Sequence, residues 1–192
     1  MDKKIIFLDL DGTLTNDEKK ITPKTKEALM DIQKRGHIVA LASGRPTPGM
    51  GFIAKELELE KYGGYVMSFN GGKIIDWKTK ETVFENTLDR KYLPDLIRYA
   101  RQNNLGLITY DNKQGLVATR VDPYVMLETV KINRIPAFLT DVVKYVDYNP
   151  NKCLYTVDPE ISEYHEKRLA EKFGDVLSVY RSTDYFIEIV PK

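Results

Sequence analysis

Lys3 to Thr13 read KKIIFLDLDGT. Ile5, Ile6, Phe7 and Leu8 form an unbroken apolar run, Asp9 and Asp11 follow it, and Gly12 ends it. A continuous apolar segment closed by a turn residue reads as a strand buried on both faces, as in a parallel sheet. Residues two apart on a strand share a side. The spacing therefore predicts two carboxylates facing one place at the strand's C-terminal end, where open α/β sheets hold their ligands. Carboxylates about 5–6 Å apart repel by about 3 kcal/mol at an effective dielectric of about 20. Either one of them keeps a proton or a cation sits between them. The first answer gives an acid beside a nucleophile, the second a hard metal with oxygen ligands. A solvated turn after a strand is the reading without chemistry.

The next apolar run, His37 to Ala42, leads directly into Ser43-Gly44-Arg45-Pro46. A strand, a tight turn with glycine and a helix start make a phosphate-site geometry, because a helix N-terminus offers unpaired N–H groups and partial positive charge. The Ser43 hydroxyl adds a donor. A Ser-Gly turn before a helix is also common without any ligand.

Asp9-Leu10-Asp11-Gly12-Thr13 resembles the first motif of the haloacid dehalogenase superfamily of phosphohydrolases, and Ser43-Gly44-Arg45-Pro46 resembles the second motif in its Cof-type sugar-phosphatase branch. The resemblance implies an α/β fold: a Rossmann-like parallel-sheet core carrying an inserted α+β cap. It implies Asp9 as nucleophile, Asp11 as general acid and base, and Ser43, Gly44 and Arg45 as phosphoryl-binding residues. Magnesium would be the cofactor, held at Asp9 and Asp11. The activity implied is hydrolysis of small phosphorylated metabolites, sugar phosphates first, through an aspartyl-phosphate. The alternatives are an inactive fragment that binds a phosphorylated ligand or a protein, and a sugar phosphomutase.

Between and beyond these motifs the chain alternates strand and helix. Thr22-Pro23 is an N-cap followed by proline at the first helical position, and Gly36 a C-terminal stop. Tyr65–Phe69 reads as a third strand, and Asn70-Gly71-Gly72 as a hairpin-type turn into Lys73–Ile75, with Thr82–Phe84 beyond. Turn chemistry alone accounts for Asn70. From about Leu88 the rhythm changes. Helices are expected over residues 89–103, 122–133, 138–146 and 159–173, with Val142 and Val143 inward. Strands are expected over 105–110, 116–120, 152–157, 176–180 and 185–190, with a hairpin through the polar stretch 111–115. The reading is two domains, residues 1–86 for the N-terminal part of the core and 87–192 for an antiparallel α+β cap.

The family's third motif, a lysine in a Ser-Lys-Gly run, and its fourth, Gly-Asp-x-x-Asn-Asp, do not occur in these 192 residues. Gly174-Asp175 lacks the following Asn-Asp and closes an amphipathic helix, so it reads as a helix stop. The chain is expected to be a truncated piece of a longer protein, with Ile5–Leu8 left as an apolar edge strand that invites self-association or domain swapping.

Composition agrees with a globular protein. Charged residues make up 30% and the net charge is +1, which argues against nucleic acid or an anionic membrane as the main partner. The opening apolar run is too short for a signal peptide or a membrane span, and the expected location is the cytoplasm. The single cysteine, Cys153, reads as a buried thiol. His37 and His165 have no third partner at ligand spacing and read as structural or solvated.

Overall fold

A computed structural model describes residues 2–111 and 115–192. The chain divides into two units, Met1–Glu85 and Asn86–Lys192.

The first unit is a sheet of five strands in the order β1-β2-β3-β4-β5. They are β1 (Ile5–Asp9), β2 (Ile38–Ala42), β3 (Gly64–Ser68), β4 (Lys73–Asp76) and β5 (Thr82–Glu85). β1, β2 and β3 are parallel; β3, β4 and β5 are antiparallel. The crossovers are α1 (Pro23–Lys34), then α2 (Thr47–Glu56) with the one-turn α3 (Leu59–Tyr62). The Thr22 hydroxyl accepts from the Thr25 N–H and Pro23 begins α1, which satisfies the N-terminus as the sequence predicts. Leu29 of α1, Met50, Ile53 and Ala54 of α2, and Leu59 of α3 pack on Val39, Leu41 and Val66 as one core.

β1 departs from expectation. Leu8 packs against this core, but Ile5 is 48% and Phe7 62% exposed. The strand is buried on one face, not both, because the helix layer's core contacts lie on the side of Leu8. Among the described residues its only strand partner is β2.

The second unit has a six-stranded sheet, order β10-β11-β9-β6-β7-β8. Its strands are β6 (Gly106–Asp111), β7 (Gly115–Ala118), β8 (Ala137–Leu139), β9 (Cys153–Thr156), β10 (Leu177–Thr183) and β11 (Phe186–Pro191). Its helices are α4 (Leu93–Gln102), α5 (Pro123–Met126, continued as a π-helix Leu127–Asn133), α6 (Val142–Tyr145) and α7 (Pro159–Phe173). All pairs are antiparallel except β7 with β8. That parallel pair and β8 itself differ from the sequence pattern, which predicts helix over 138–146. Phe138 faces Val117 in the ladder, and helix begins only at Val142. Val142 is buried but Val143 is 37% exposed, so one turn of helix turns only one of the two inward. The middle of the polar stretch 111–115 lies outside the described residues.

Leu96, Ile97, Tyr99 and Ala100 of α4 and Leu169 and Phe173 of α7 pack with Leu107, Cys153, Tyr155, Ile187 and Ile189 of the sheet. Burial pushes the Cys153 thiol up to about 12, against a smaller opposing pull from Thr109, so it is an inert core group. Among the described residues no helix is long and apolar enough to cross a membrane.

His165 is 5% exposed, with its Nδ1 2.9 Å from the Tyr99 hydroxyl. Burial, then the nearby Arg168 charge, holds its pKa below the ordinary value. A depressed folded-state pKa means that the unfolded chain binds the proton more readily. The stability from neutral His165 is therefore complete above the unfolded pKa of about 6.5 and is lost as pH falls through the folded one. Melting temperatures from pH 7.5 down to pH 5 will fall more steeply for the native chain than for His165→Gln; equal slopes would refute this.

Candidate active site

β1 and β2 run parallel with Asp9 opposite Ala42 in register. Both strands stop there, so Asp9 and Ser43 arrive at the same end of the sheet. The loop after β1 is anchored by buried Leu10 and Leu14. The Leu14 N–H donates to the Asp9 carbonyl at 3.0 Å and the Thr15 N–H to the Leu10 carbonyl at 2.9 Å. The Thr15 hydroxyl donates to that same Leu10 carbonyl at 2.7 Å. Gly12 turns the chain at φ +81, a left-handed conformation that glycine adopts without steric cost.

Asp11 lies beyond the strand and forms an isolated bridge with Thr15. Its direction is thus set by the loop and not by strand alternation, as the spacing alone suggested. Its carboxylate is clamped by two cations. Arg45 Nε donates to Oδ2 at 2.9 Å and Nη2 to Oδ1 at 2.7 Å, while Lys19 Nζ donates to Oδ1 at 2.7 Å. Partial burial alone would raise the Asp11 pKa, but the bonds from Arg45 and Lys19 outweigh it and hold the carboxyl below the usual range. The Arg45 side chain is 4% exposed, so its charge is committed inside the turn rather than offered to solvent.

Ser43 is buried, and its Oγ accepts from the Arg45 N–H at 3.2 Å. The Ser43 N–H donates to the Met67 carbonyl and the Asn70 N–H donates to the Ser43 carbonyl, at 2.9 and 3.1 Å. The Phe69 N–H donates to the Arg45 carbonyl at 2.9 Å. The second motif is thus held by the end of β3 and by the turn after it. That turn is the hairpin read from the sequence, since β3 and β4 pair with Ser68 opposite Lys73. It is also strained: Phe69 and Asn70 adopt φ +53 and +58. Non-glycine residues there cost about 1–3 kcal/mol each and concentrate at functional sites. A Cβ on Gly44 would stand 2.5 Å from Asn70 Oδ1, so any side chain at 44 would have to displace the Asn70 amide. Following Pro46, α2 begins with no side-chain cap; Pro48 brings no N–H to its first turn, and the Gly49 N–H donates to the Pro46 carbonyl at 2.9 Å.

Two residues escaped the sequence reading. Lys19, at φ +60 in a polar loop, looks like any solvated lysine until the loop folds back onto Asp11. Asn70 carried a signal, since asparagine is the side chain that best tolerates left-handed backbone.

Asp9 and the Asp11 main chain supply hard oxygens, which suit magnesium, an ion that takes one or two carboxylates and completes its octahedron with water and substrate. The Asp11 carboxylate is already engaged by cations. Among the described residues no group of three or more His, Cys, Asp or Glu could form a protein cage for a metal. A magnesium ion bound here would take the Asp9 carboxylate and the Asp11 carbonyl from the protein and its remaining ligands from substrate and solvent.

The model of the haloacid dehalogenase-like hydrolase family matches residues 6–192. A haloacid dehalogenase-like hydrolase of Bacteroides thetaiotaomicron is 39% identical, with TM-score 0.95, over 100% of this chain and 72% of that one. The Bacillus subtilis protein named "Putative phosphatase YxeH" is 30% identical over 188 residues, 91% of this chain and 70% of that protein. The subclass IIB sugar phosphatase BT4131, at 14% identity, shares the fold with TM-score 0.79 over 100% of this chain and 70% of that one. With a fold, two turns and a family model in agreement over nearly its whole length, the chain belongs to the haloacid dehalogenase-like hydrolases.

Proposed function

We infer that this chain carries the nucleophile and phosphoryl-binding turns of a magnesium-dependent phosphatase for small phosphorylated metabolites, sugar phosphates foremost. The observation behind this is the register of β1 and β2, which brings Asp9 and the Ser43 turn to one sheet end, together with the Arg45–Asp11 fork that ties the two motifs. The shared fold with a sugar phosphatase and the phosphatase name of a 30% identical relative support the same class.

In this reading the Asp9 carboxylate attacks phosphorus and becomes an aspartyl-phosphate. The Ser43 hydroxyl and the Gly44 N–H bind phosphoryl oxygens. Asp11 gives a proton to the leaving oxygen and later takes one from the hydrolytic water. The Arg45 and Lys19 clamp keeps Asp11 ionised, the form needed for the second step. A phosphoryl dianion competes for those same cations, and loosening the clamp is what lets Asp11 carry a proton in the first. Bound magnesium would offset negative charge on the carboxylate and the transferring group.

Beryllofluoride, which mimics a phosphoryl group on an aspartate, tests the site without requiring turnover. Ligand at about 100 times its Kd stabilises a fold by about 2.7 kcal/mol. Melting scans should show a rise of several degrees with magnesium and beryllofluoride together, none with either alone, and none for Asp9→Asn. A rise that survives in Asp9→Asn would sink the assignment.

A further inference from the structure

The second unit holds a cleft of about 440 Å³ between the C-terminal half of α4 and α7 that shares no residue with the Asp9 site. Tyr99, Gln102 and Asn103 line one side, and Tyr164, Arg168, Glu171 and Lys172 the other. Elsewhere on α7, Lys167 pairs with Glu163 and Glu166 with Arg181, each at 2.7 Å. Among the described residues neither Arg168 nor Lys172 has a carboxylate within ion-pair distance; both instead lie over aromatic rings. Arg168 is 6.0 Å from the Tyr164 ring centre and Lys172 is 5.9 Å from that of Tyr99. Tyr164 is 58% exposed on the wall of the cleft, with Arg168 over its ring. The volume suits a small organic ligand. Two cations without carboxylate partners select an anion. The exposed Tyr164 ring offers a stacking surface for a planar group, and Glu171, Gln102 and Asn103 offer an acceptor and amides for hydroxyls or amines.

We propose that this cleft binds a nucleotide-like anion, a phosphate joined through a hydroxylated linker to a planar ring. The phosphate meets Arg168 and Lys172, and the ring stacks on Tyr164. This is independent of the phosphatase reading.

The chain has only two histidines, and they serve as reporter and control. The His165 ring packs edge-on to Tyr164 with centroids 5.0 Å apart, whereas His37 belongs to the first unit and accepts from the Lys4 N–H. In a proton NMR titration with adenosine monophosphate, the His165 signals should shift saturably with a Kd of about 1 mM or tighter while His37 stays fixed. The double variant R168Q/K172Q should weaken this at least tenfold without lowering the melting temperature. Tyr164→Ala should weaken adenosine monophosphate binding alone, leaving inorganic phosphate unaffected. Asp9→Asn should titrate like the native chain. No shift of His165 up to about 10 mM, no loss in either cleft variant, inorganic phosphate binding as tightly as the nucleotide, or loss in Asp9→Asn would each overturn the proposal.

Discussion

Given para-nitrophenyl phosphate and magnesium, the 192-residue chain will turn over about 10⁴-fold or more below a chimera. The chimera joins it to the part of the Bacteroides thetaiotaomicron relative that this chain does not cover, 72% of that protein being matched. Uncatalysed hydrolysis of phosphate monoesters is so slow that the acceleration needed approaches ~10²¹. Most of it comes from fixed charges and donors placed where negative charge develops. The lysine of a Ser-Lys-Gly run and the acids of a Gly-Asp-x-x-Asn-Asp run are of that kind, and neither run occurs in this sequence. Removing one such donor costs about 10²–10³, and several acting together cost less than the product of their separate effects, which is why 10⁴ is set as the floor. Turnover by the short chain within tenfold of the chimera would refute this division of labour.

The same pair of proteins tests β1. Covering Ile5 and Phe7, now 48% and 62% exposed, is worth about 2–4 kcal/mol, and the strand's outer hydrogen-bonding edge adds to that. Light scattering should find the short chain self-associating with concentration and the chimera not. A monomeric short chain at every concentration would remove the edge as a driving force.

What the sequence disclosed tracks how local each cause is. α1 and α7 were readable because a capping residue, a following proline and an apolar stripe all lie within the element; α7 spans Pro159–Phe173 as its pattern indicates. β8 was not readable. Ala137–Leu139 is strand because β7 lies alongside it, and an exposed Leu139 gives no alternation to detect. The π-turn over Leu127–Asn133 was also hidden, since its Thr129 hydroxyl bonds back to the Val125 carbonyl within what looks like ordinary helix. At the site, Asp9, Asp11 and the Ser43 turn were visible as motifs. The reason Asp11 points where it does was not, because Arg45 and Lys19 reach it only once two loops have closed. The run Ile5–Leu8 declared a strand correctly but said nothing of its neighbours, and burial on the second face is a property of neighbours.

The largest stability effect is expected at a charge pair that no motif marked. Lys152 Nζ and Glu188 Oε2 lie 3.3 Å apart with side chains only 4% and 7% exposed, beside β9 and within β11. The Tyr180 hydroxyl donates to the same Glu188 oxygen at 3.2 Å, and the Lys152 ammonium lies 5.8 Å from the Tyr110 ring centre. Desolvating two such charges costs nearly what their attraction returns, so the pair contributes little net stability. Breaking it is different, because one charge is then left buried against a mismatched partner. Glu188→Leu or Lys152→Met alone should cost about 3–5 kcal/mol, a fall in melting temperature on the order of 15 °C for a unit of this size. Made together, the two substitutions remove both charges, and most of that loss should return. A double-mutant cycle on urea midpoints measures the difference directly, with a coupling energy of several kcal/mol expected. Additive losses would mean that the two groups are held by separate surroundings and that the short distance carries no energetic weight.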